Sequence, residues 1–244
     1  MKKIVFAHFY NEEYLLPFWL KHHKGIFDHG VLFNYASTDR SCEIIKEICP
    51  NWEIYESENK TFSAADIEKE ILIKEHKYNQ GDYRAILNVT EFLICKSNFF
   101  AKSNEKIQFL VPSFAMFDNK QNLYKDLELN KPLIKQRTNG LDYKTHFHFR
   151  KSRSIHNYNI NSYPLGRHYS FYNSEDAVVC WYGFSPFNKK TIKRKMQIGS
   201  RVPIGDKRRG WGFQHLWPEE RIKLEYYNNI EYTINLKEKI ESYE

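Results

Sequence analysis

The sequence predicts an α/β protein with a central, mostly parallel sheet and helices on both faces. Two observations carry this expectation. Short apolar segments alternate with segments whose apolar residues recur at helical spacing, and the junctions are filled with polar turn and capping residues. Strand, helix, strand, helix at this pitch implies parallel strands joined by crossover helices.

The elements follow in order. Lys3 to Phe9 (KIVFAHF) reads as a first strand, and the polar turn YNEE leads into a helix carrying Leu15, Leu16, Trp19 and Leu20. Pro17 falls in its first turn, where a missing N–H does no harm. Gly30 to Tyr35 is the second strand. ASTDRS then supplies N-cap residues before a helix with Ile44, Ile45 and Ile48 that stops at Pro50. Residues 52–56 form a third strand, residues 64–78 a helix with Ile67, Ile71 and Leu72, and residues 83–89 a fourth strand. Beyond residue 100 the pattern loosens. Asn119 to Lys144 is polar, shows no clear period, and is expected to wrap the surface or form a mobile loop. HFHFRKS and DAVVCWY read as strands, KKTIKRKM as a short basic helix, IGSRVPIGDKRRGWG as a loop, and 218–227 as a helix. The chain is expected to be one domain over 1–244, with a nucleotide-binding half at 1–100 and an acceptor half with a basic extension at 101–244.

Composition narrows the function. The net charge of +7 favours anionic partners: nucleic acid, nucleotide phosphates or an acidic membrane surface. Much of it lies in one stretch, with Lys189, Lys190, Lys193, Arg194, Lys195, Arg201, Lys207, Arg208 and Arg209 opposed there only by Asp206. Cys42, Cys49, Cys95 and Cys180 form no CxxC pair and no zinc spacing, which fits reduced, buried thiols in a cytosolic protein. MKKIVFAHFYNEE is too short and polar for a signal peptide, and no run approaches the ~18 apolar residues that span a bilayer. The expected location is cytoplasmic, with peripheral contact at the inner membrane face as an extension.

A parallel sheet binds ligands at the carboxyl ends of its strands. The loops there are YNEE, YASTDRS, SENKTFS and NVTEF. Neither G-x-G-x-x-G nor G-x-x-x-x-G-K-[ST] occurs, which argues against dinucleotide-binding and kinase-like alternatives.

At these loops the chain resembles the family 2-like glycosyltransferases of GT-A type. The resemblance runs through Asn11-Glu12, Leu16, Trp19-Leu20 and His22-His23, then NYASTDRS, then Asn88-Val89-Thr90-Glu91-Phe92. It continues through GRHYSF, WYGFSPFNKKTIKRKMQIG and GWGFQHLW, in order from about residue 4 to 217. It implies a GT-A-like nucleotide-binding domain, a nucleotide-sugar donor, and a glycan or lipid-linked acceptor in surface polysaccharide or glycoconjugate synthesis. Two motifs depart from the family pattern. The acidic D-x-D that holds Mn²⁺ or Mg²⁺ is Asn88 and Thr90 here, and a family His and Arg are Trp181 and Phe184.

Glycosyl transfer must hold the base and ribose, neutralise the leaving diphosphate and deprotonate the acceptor hydroxyl. Asn11, Glu12, Asn34 and Asp39 sit where the resemblance places the donor, although Asn11, Glu12 and Asp39 also make good helix-capping residues. Glu91 is a carboxylate among apolar neighbours, able to bind a cation or act as general base. A salt bridge to Arg84 or Lys96 is its structural alternative. His168 and His215 match the family histidines and complete a catalytic set with Glu91, or a metal set if a metal is used. His146 and His148 alternate on a strand, more simply as polar groups of an edge than as ligands. Asn88 and Thr90 join the donor residues. Lys195, Arg201, Arg208 and Arg209 are expected to take the diphosphate without a metal. The expected cofactor is therefore none, with Mn²⁺ or Mg²⁺ as the alternative. A nucleic-acid-binding module lacks any helix-turn-helix, RRM or zinc pattern, so no nucleic acid partner is expected. A catalytically inactive relative that binds a sugar nucleotide is the other alternative.

Overall fold

The computed structural model describes residues 1–59, 61–101, 105–146 and 152–244. Its strands form two sheets. In the first, β1 (Lys3–Phe9), β2 (His29–Asn34), β3 (Glu53–Glu56) and β4 (Tyr83–Ile86) run parallel, in the order β3-β2-β1-β4. Then β9 (Arg153–His156) pairs antiparallel with β4, and β6 (Gln108–Val111) antiparallel with β9. The mostly parallel sheet expected from the sequence is present.

Helices α1 (Leu16–His23), α2 (Ser41–Ile48) and α3 (Ala64–Glu75) are the crossovers. The strands sort their side chains with period two, as a sheet covered on both faces must. Val5, Ala7, Phe9 and Leu32 pack with Leu16, Trp19, Ile44 and Ile45 of α1 and α2. Ile4, Phe6, Val31 and Phe33 pack with Ile67 and Ile71 of α3. Trp52 is admitted by Gly30, where an added Cβ would stand 2.2 Å from the indole ring.

The second sheet has the order β11-β8-β7-β10-β5, from β5 (Glu91–Cys95), β7 (Ser113–Met116), β8 (Asn139–Leu141), β10 (Ala177–Trp181) and β11 (Ile234–Asn235). Helices α5 (Lys189–Met196) and α7 (Glu219–Ile230) cover it through Ile192, Ile222 and Tyr226, which pack on Phe117, Phe184 and Phe187. Short helices α4 (Leu133–Gln136), α6 (Ile204–Arg208) and α8 (Lys237–Glu241) complete the chain. The sheets interleave in sequence, since β5 joins the second sheet while β6 and β9 join the first.

Several expectations need correction. The fourth strand ends at Ile86, and Glu91 opens the next strand instead of closing that one. The 119–144 stretch contains α4 and β8, and 198–212, expected to be a loop, contains a 3-10 turn (Gly199–Arg201) and α6. His146 itself lies in no strand, and His148, with the rest of 147–151, lies outside the described residues. Cys49 and Cys180 are buried, but Cys42 and Cys95 are only half-buried.

α1 is held against β5 by the histidine pair. His23 accepts from the Leu93 amide at 3.2 Å and faces the Trp19 carbonyl at 3.0 Å, while His22 faces the Leu93 carbonyl at 2.6 Å. Burial lowers the basicity of both rings. Here the W-L-x-H-H segment fastens a helix to the neighbouring sheet.

Candidate functional site

The carboxyl ends of β1, β2 and β4 form one rim. At its first corner Asn11 adopts a left-handed backbone (φ 50°), and its side-chain oxygen accepts from the amides of Thr38 (2.8 Å) and Asp39 (3.3 Å). Asp39 in turn accepts from the amides of Ser41 (3.0 Å) and Glu13 (3.0 Å), so it caps α2 and ties down the loop before α1. Asn34 donates to both Glu56 carboxylate oxygens and accepts from the Ser37 amide at 2.9 Å. The structure thus brings Asn11, Asn34 and Asp39 together, and much of their hydrogen-bonding capacity shapes the two loops.

The basic C-terminal segment closes over this rim. Arg194 donates to Glu12 at 3.3 Å, Gln197 donates to the carbonyls of Tyr10 (2.9 Å) and Asn11 (3.2 Å), and Arg201 stacks 4.2 Å over the Tyr10 ring while donating to the Tyr35 carbonyl. Spacings of three and four residues place these three on one side of α5 and the turn after it. Burial raises the Glu12 carboxyl, and Arg194 pulls it back down; its Oε2 is sealed without a partner. Lys195 projects over the rings of Phe184 (3.8 Å) and Trp181 (5.8 Å). Burial, with Arg194 adding to it, lowers that lysine to about 7.

The second corner is built on two arginines that the sequence did not single out. Glu91 is only 2% exposed. Its Oε1 accepts from Arg153 Nε (2.8 Å) and Nη2, and its Oε2 from the Asn88 amide (2.8 Å). This is the structural alternative for Glu91 with another partner: Arg153, not Arg84 or Lys96. Because β5 and β9 belong to different sheets, the pair joins the two. Arg153 Nη1 also donates to the carbonyls of Gly166 (3.2 Å) and Arg167 (2.8 Å) and to His168 Nδ1 (2.6 Å). A guanidinium can only donate, so Nδ1 accepts and His168 carries its proton on Nε2.

Arg167 is 6% exposed and, like Gly166 before it, has positive φ (57° and 72°). The Gly166 amide donates to Glu68 of α3 at 2.6 Å, which fixes the turn. Arg167 Nη2 donates to Asn88 Oδ1 at 2.9 Å and, weakly, to His8 Nδ1 at 3.5 Å. Thr90 is buried, and its carbonyl accepts from the Tyr182 amide at 2.7 Å.

His215 reaches the same region, its ring 5.0 Å from Phe62, which is 5.9 Å from His8. Burial, then Lys195 and Arg194, lowers His215 to about 4, and burial with Arg167 and Arg153 holds His8 far below its ordinary value. Both rings are neutral at pH 7, so the charge on this rim belongs to lysine and arginine. Arg208 and Arg209 are exposed, and Arg209 stacks on Trp211 at 4.9 Å. Among the described residues no hydrogen bond or ion pair joins either side chain to the rim.

The residues present do not fit a divalent metal. At the D-x-D position Asn88 Oδ1 accepts from Arg167, and Glu91 Oε1 accepts from Arg153. A hard cation needs several oxygen ligands, and here the oxygens face guanidinium groups. Glu91 and His168, two members of the proposed metal set, share Arg153 instead. Among the described residues no three His, Cys, Asp or Glu side chains gather as a set able to hold a metal ion.

Two surface cavities lie outside this rim, one of about 410 Å³ beside Tyr124, Asp126 and Asn188, the other of about 290 Å³ beside Gln108, Tyr158 and Tyr169. No helix among the described residues is long and apolar enough to cross a membrane.

No family model and no curated protein matches the chain. Solved structures do. The chain is similar to Staphylococcus aureus TarS 1-349 in complex with UDP-GlcNAc, at 12% identity and TM-score 0.42, over 93% of this chain and 72% of that one. It is similar to the mannosyltransferase PcManGT from Pyrobaculum calidifontis in complex with GDP-Man and Mn²⁺, at 18% identity and TM-score 0.31, over 37% of this chain and 28% of that one. A 4-diphosphocytidyl-2C-methyl-D-erythritol synthase matches at 10% identity and TM-score 0.35, over 63% of this chain and 74% of that one. Likenesses this remote leave the site to be understood from the chain's own geometry.

Proposed function

We propose that the protein is a glycosyltransferase that moves a sugar from a nucleotide-sugar donor to a glycan or lipid-linked acceptor, in surface polysaccharide or glycoconjugate synthesis. One observation carries this: the carboxyl-end rim of the parallel sheet is roofed by the segment 194–201 and lined with cations, among them Lys195, which among the described residues has no carboxylate within salt-bridge distance. A cationic rim at strand ends suits a nucleoside diphosphate. Asn11, Glu12, Asn34 and Asp39 shape the loops that receive the nucleoside, and Asn88 and Thr90 form the opposite wall.

Glu91 acts by holding Arg153 in place. Of the other two catalytic candidates, His168 keeps its proton on Nε2, whereas His215 is a neutral imidazole of carboxylate-like basicity. His215 is the group we assign to accept the acceptor's proton. The exposed Ile204, Trp211 and Phe213 beside Lys207, Arg208 and Arg209 give a face that rests on an anionic membrane surface.

The sealed Glu91 favours a second reading, an inactive relative that binds sugar nucleotides without turning them over. A thermal-shift screen of UDP-, GDP-, CMP- and dTDP-sugars, followed by assay of nucleotide release, separates the two. Stabilisation by one donor with release of its nucleotide supports the transferase, and stabilisation without release supports the inactive relative. No response to any donor rejects both.

A further inference from the structure

We propose that Arg167, with Lys195 across the rim, receives the donor's diphosphate in the place where a divalent metal would otherwise stand. This rests on the nucleotide-sugar reading above and assigns its anion site. Arg167 is nearly buried, yet only its Nη2 is used: Nε and Nη1 donate to nothing among the described residues. Neither atom is among the sealed, unpartnered polar atoms of the described residues, so both are open to a ligand.

The surroundings decide what ligand that is. Glu91 is committed to Arg153, and Glu12 is bonded to Arg194. Glu68 is within electrostatic reach of Arg167 but spends one oxygen on the Gly166 amide. Lys195 makes no hydrogen bond among the described residues and faces aromatic rings. His8 and His215, which lie between these two cations, add no charge. Cations therefore have donors to spare at this rim, while each of these carboxylates has at least one oxygen facing a donor, an arrangement that suits an anion better than Mn²⁺ or Mg²⁺. A planar guanidinium with unused N–H groups on Nε and Nη1 still offers phosphoryl oxygens charged donors along two of its edges. The positive φ at Gly166 and Arg167 and the grip of Arg153 on both carbonyls fix the guanidinium before any ligand arrives.

The test is calorimetric titration of the full chain with inorganic pyrophosphate, once in chelator and once with Mn²⁺. Binding is expected in chelator, with Mn²⁺ changing the affinity by less than about threefold. Arg167→Gln is expected to weaken it by about tenfold or more, and Lys195→Met by several-fold. Should Arg167→Gln fail to fold, Arg167→Lys keeps a charge and loses the planar set of donors, and weakened binding is again expected. A folded Arg167→Gln protein with unchanged affinity overturns the proposal, as does a tenfold or larger gain from Mn²⁺. Failure here is distinct from failure of the functional reading. Pyrophosphate bound in chelator with no sugar nucleotide bound leaves the anion site standing and removes the transferase. Sugar nucleotides bound only with Mn²⁺ do the reverse.

Discussion

Two groups of cations lie within a short stretch of sequence or face one rim, and they differ in what surrounds them. Arg153, Arg167, Arg194 and Lys195 are buried or half-buried, and the three arginines have specified partners. Lys207, Arg208 and Arg209 project into solvent from α6 and just after it. The sequence grouped Lys195, Arg201, Arg208 and Arg209 as one diphosphate-binding set, because linear charge density carries no information on burial. In three dimensions Lys195 and Arg201 belong to the rim and the other two do not. An exposed cation is hydrated and screened, so its partners are interchangeable. A buried one is costly to leave unpaired, and its geometry is correspondingly exacting.

The comparison is broken most severely at Arg153. Arg153→Met leaves Glu91 charged and unpaired in the interior and should cost about 3–5 kcal/mol in urea unfolding. Arg153→Met combined with Glu91→Leu should recover most of that, since removing both charges removes the unpaired one. A single-variant cost below about 1 kcal/mol, typical of surface pairs, would erase the distinction between the two groups.

Lys195 sharpens it through pH. The folded state lowers this lysine from 10.5 to about 7, so between those values the unfolded chain binds a proton that the folded one releases. Stability therefore rises with pH across that window, and below about 7 the full cost of holding the charged form is present. Lys195→Met should lose this slope and be relatively more stable at about pH 6 than at about pH 10, read as paired melting temperatures. Parallel curves for the two proteins would place Lys195 with the solvated cations.

The smallest effect is expected on the surface. Arg208→Ala with Arg209→Ala should change folding stability by no more than about 0.5 kcal/mol and leave pyrophosphate affinity as it was. The same pair should weaken sedimentation with vesicles of mixed phosphatidylglycerol and phosphatidylcholine, most at low salt. Lost pyrophosphate binding with intact vesicle binding would return these two arginines to the rim.

The first four strands and three helices were legible because each is covered on both faces by residues close in sequence. Ile4 and Phe6 against Ile67 and Ile71, or Val5 and Ala7 against α1 and α2, write their periodicities locally. The rim loops were legible for the same reason, since Asp39 binds the first amide of α2 and Asn11 binds the amides of the loop just before it. Arg153 was not. Its carboxylate is 62 positions away on another sheet, and the only local sign is an arginine in an otherwise ordinary strand. Arg167 was overlooked in favour of its neighbour His168. The glycine before it was the available clue, because left-handed residues in succession mark a turn held open for a purpose. The second sheet was legible only in β10 and its helices, because β8 and β11 are short and find partners far along the chain.

Arg153 holds the seam between the sheets and the loop that carries Arg167 and His168 with the same guanidinium. Binding loops commonly open in local excursions that leave the rest of a protein folded. This one lacks that freedom at its base: lifting Gly166 and Arg167 away takes two acceptors from a side chain whose other arm is locked to Glu91. The free energy for opening the loop is thereby drawn toward that for parting the sheets. Substrate entry then has to come from movement of the 194–201 roof, which is fastened by Gln197, Arg194 and Arg201 at its margin, while the floor beneath stays set.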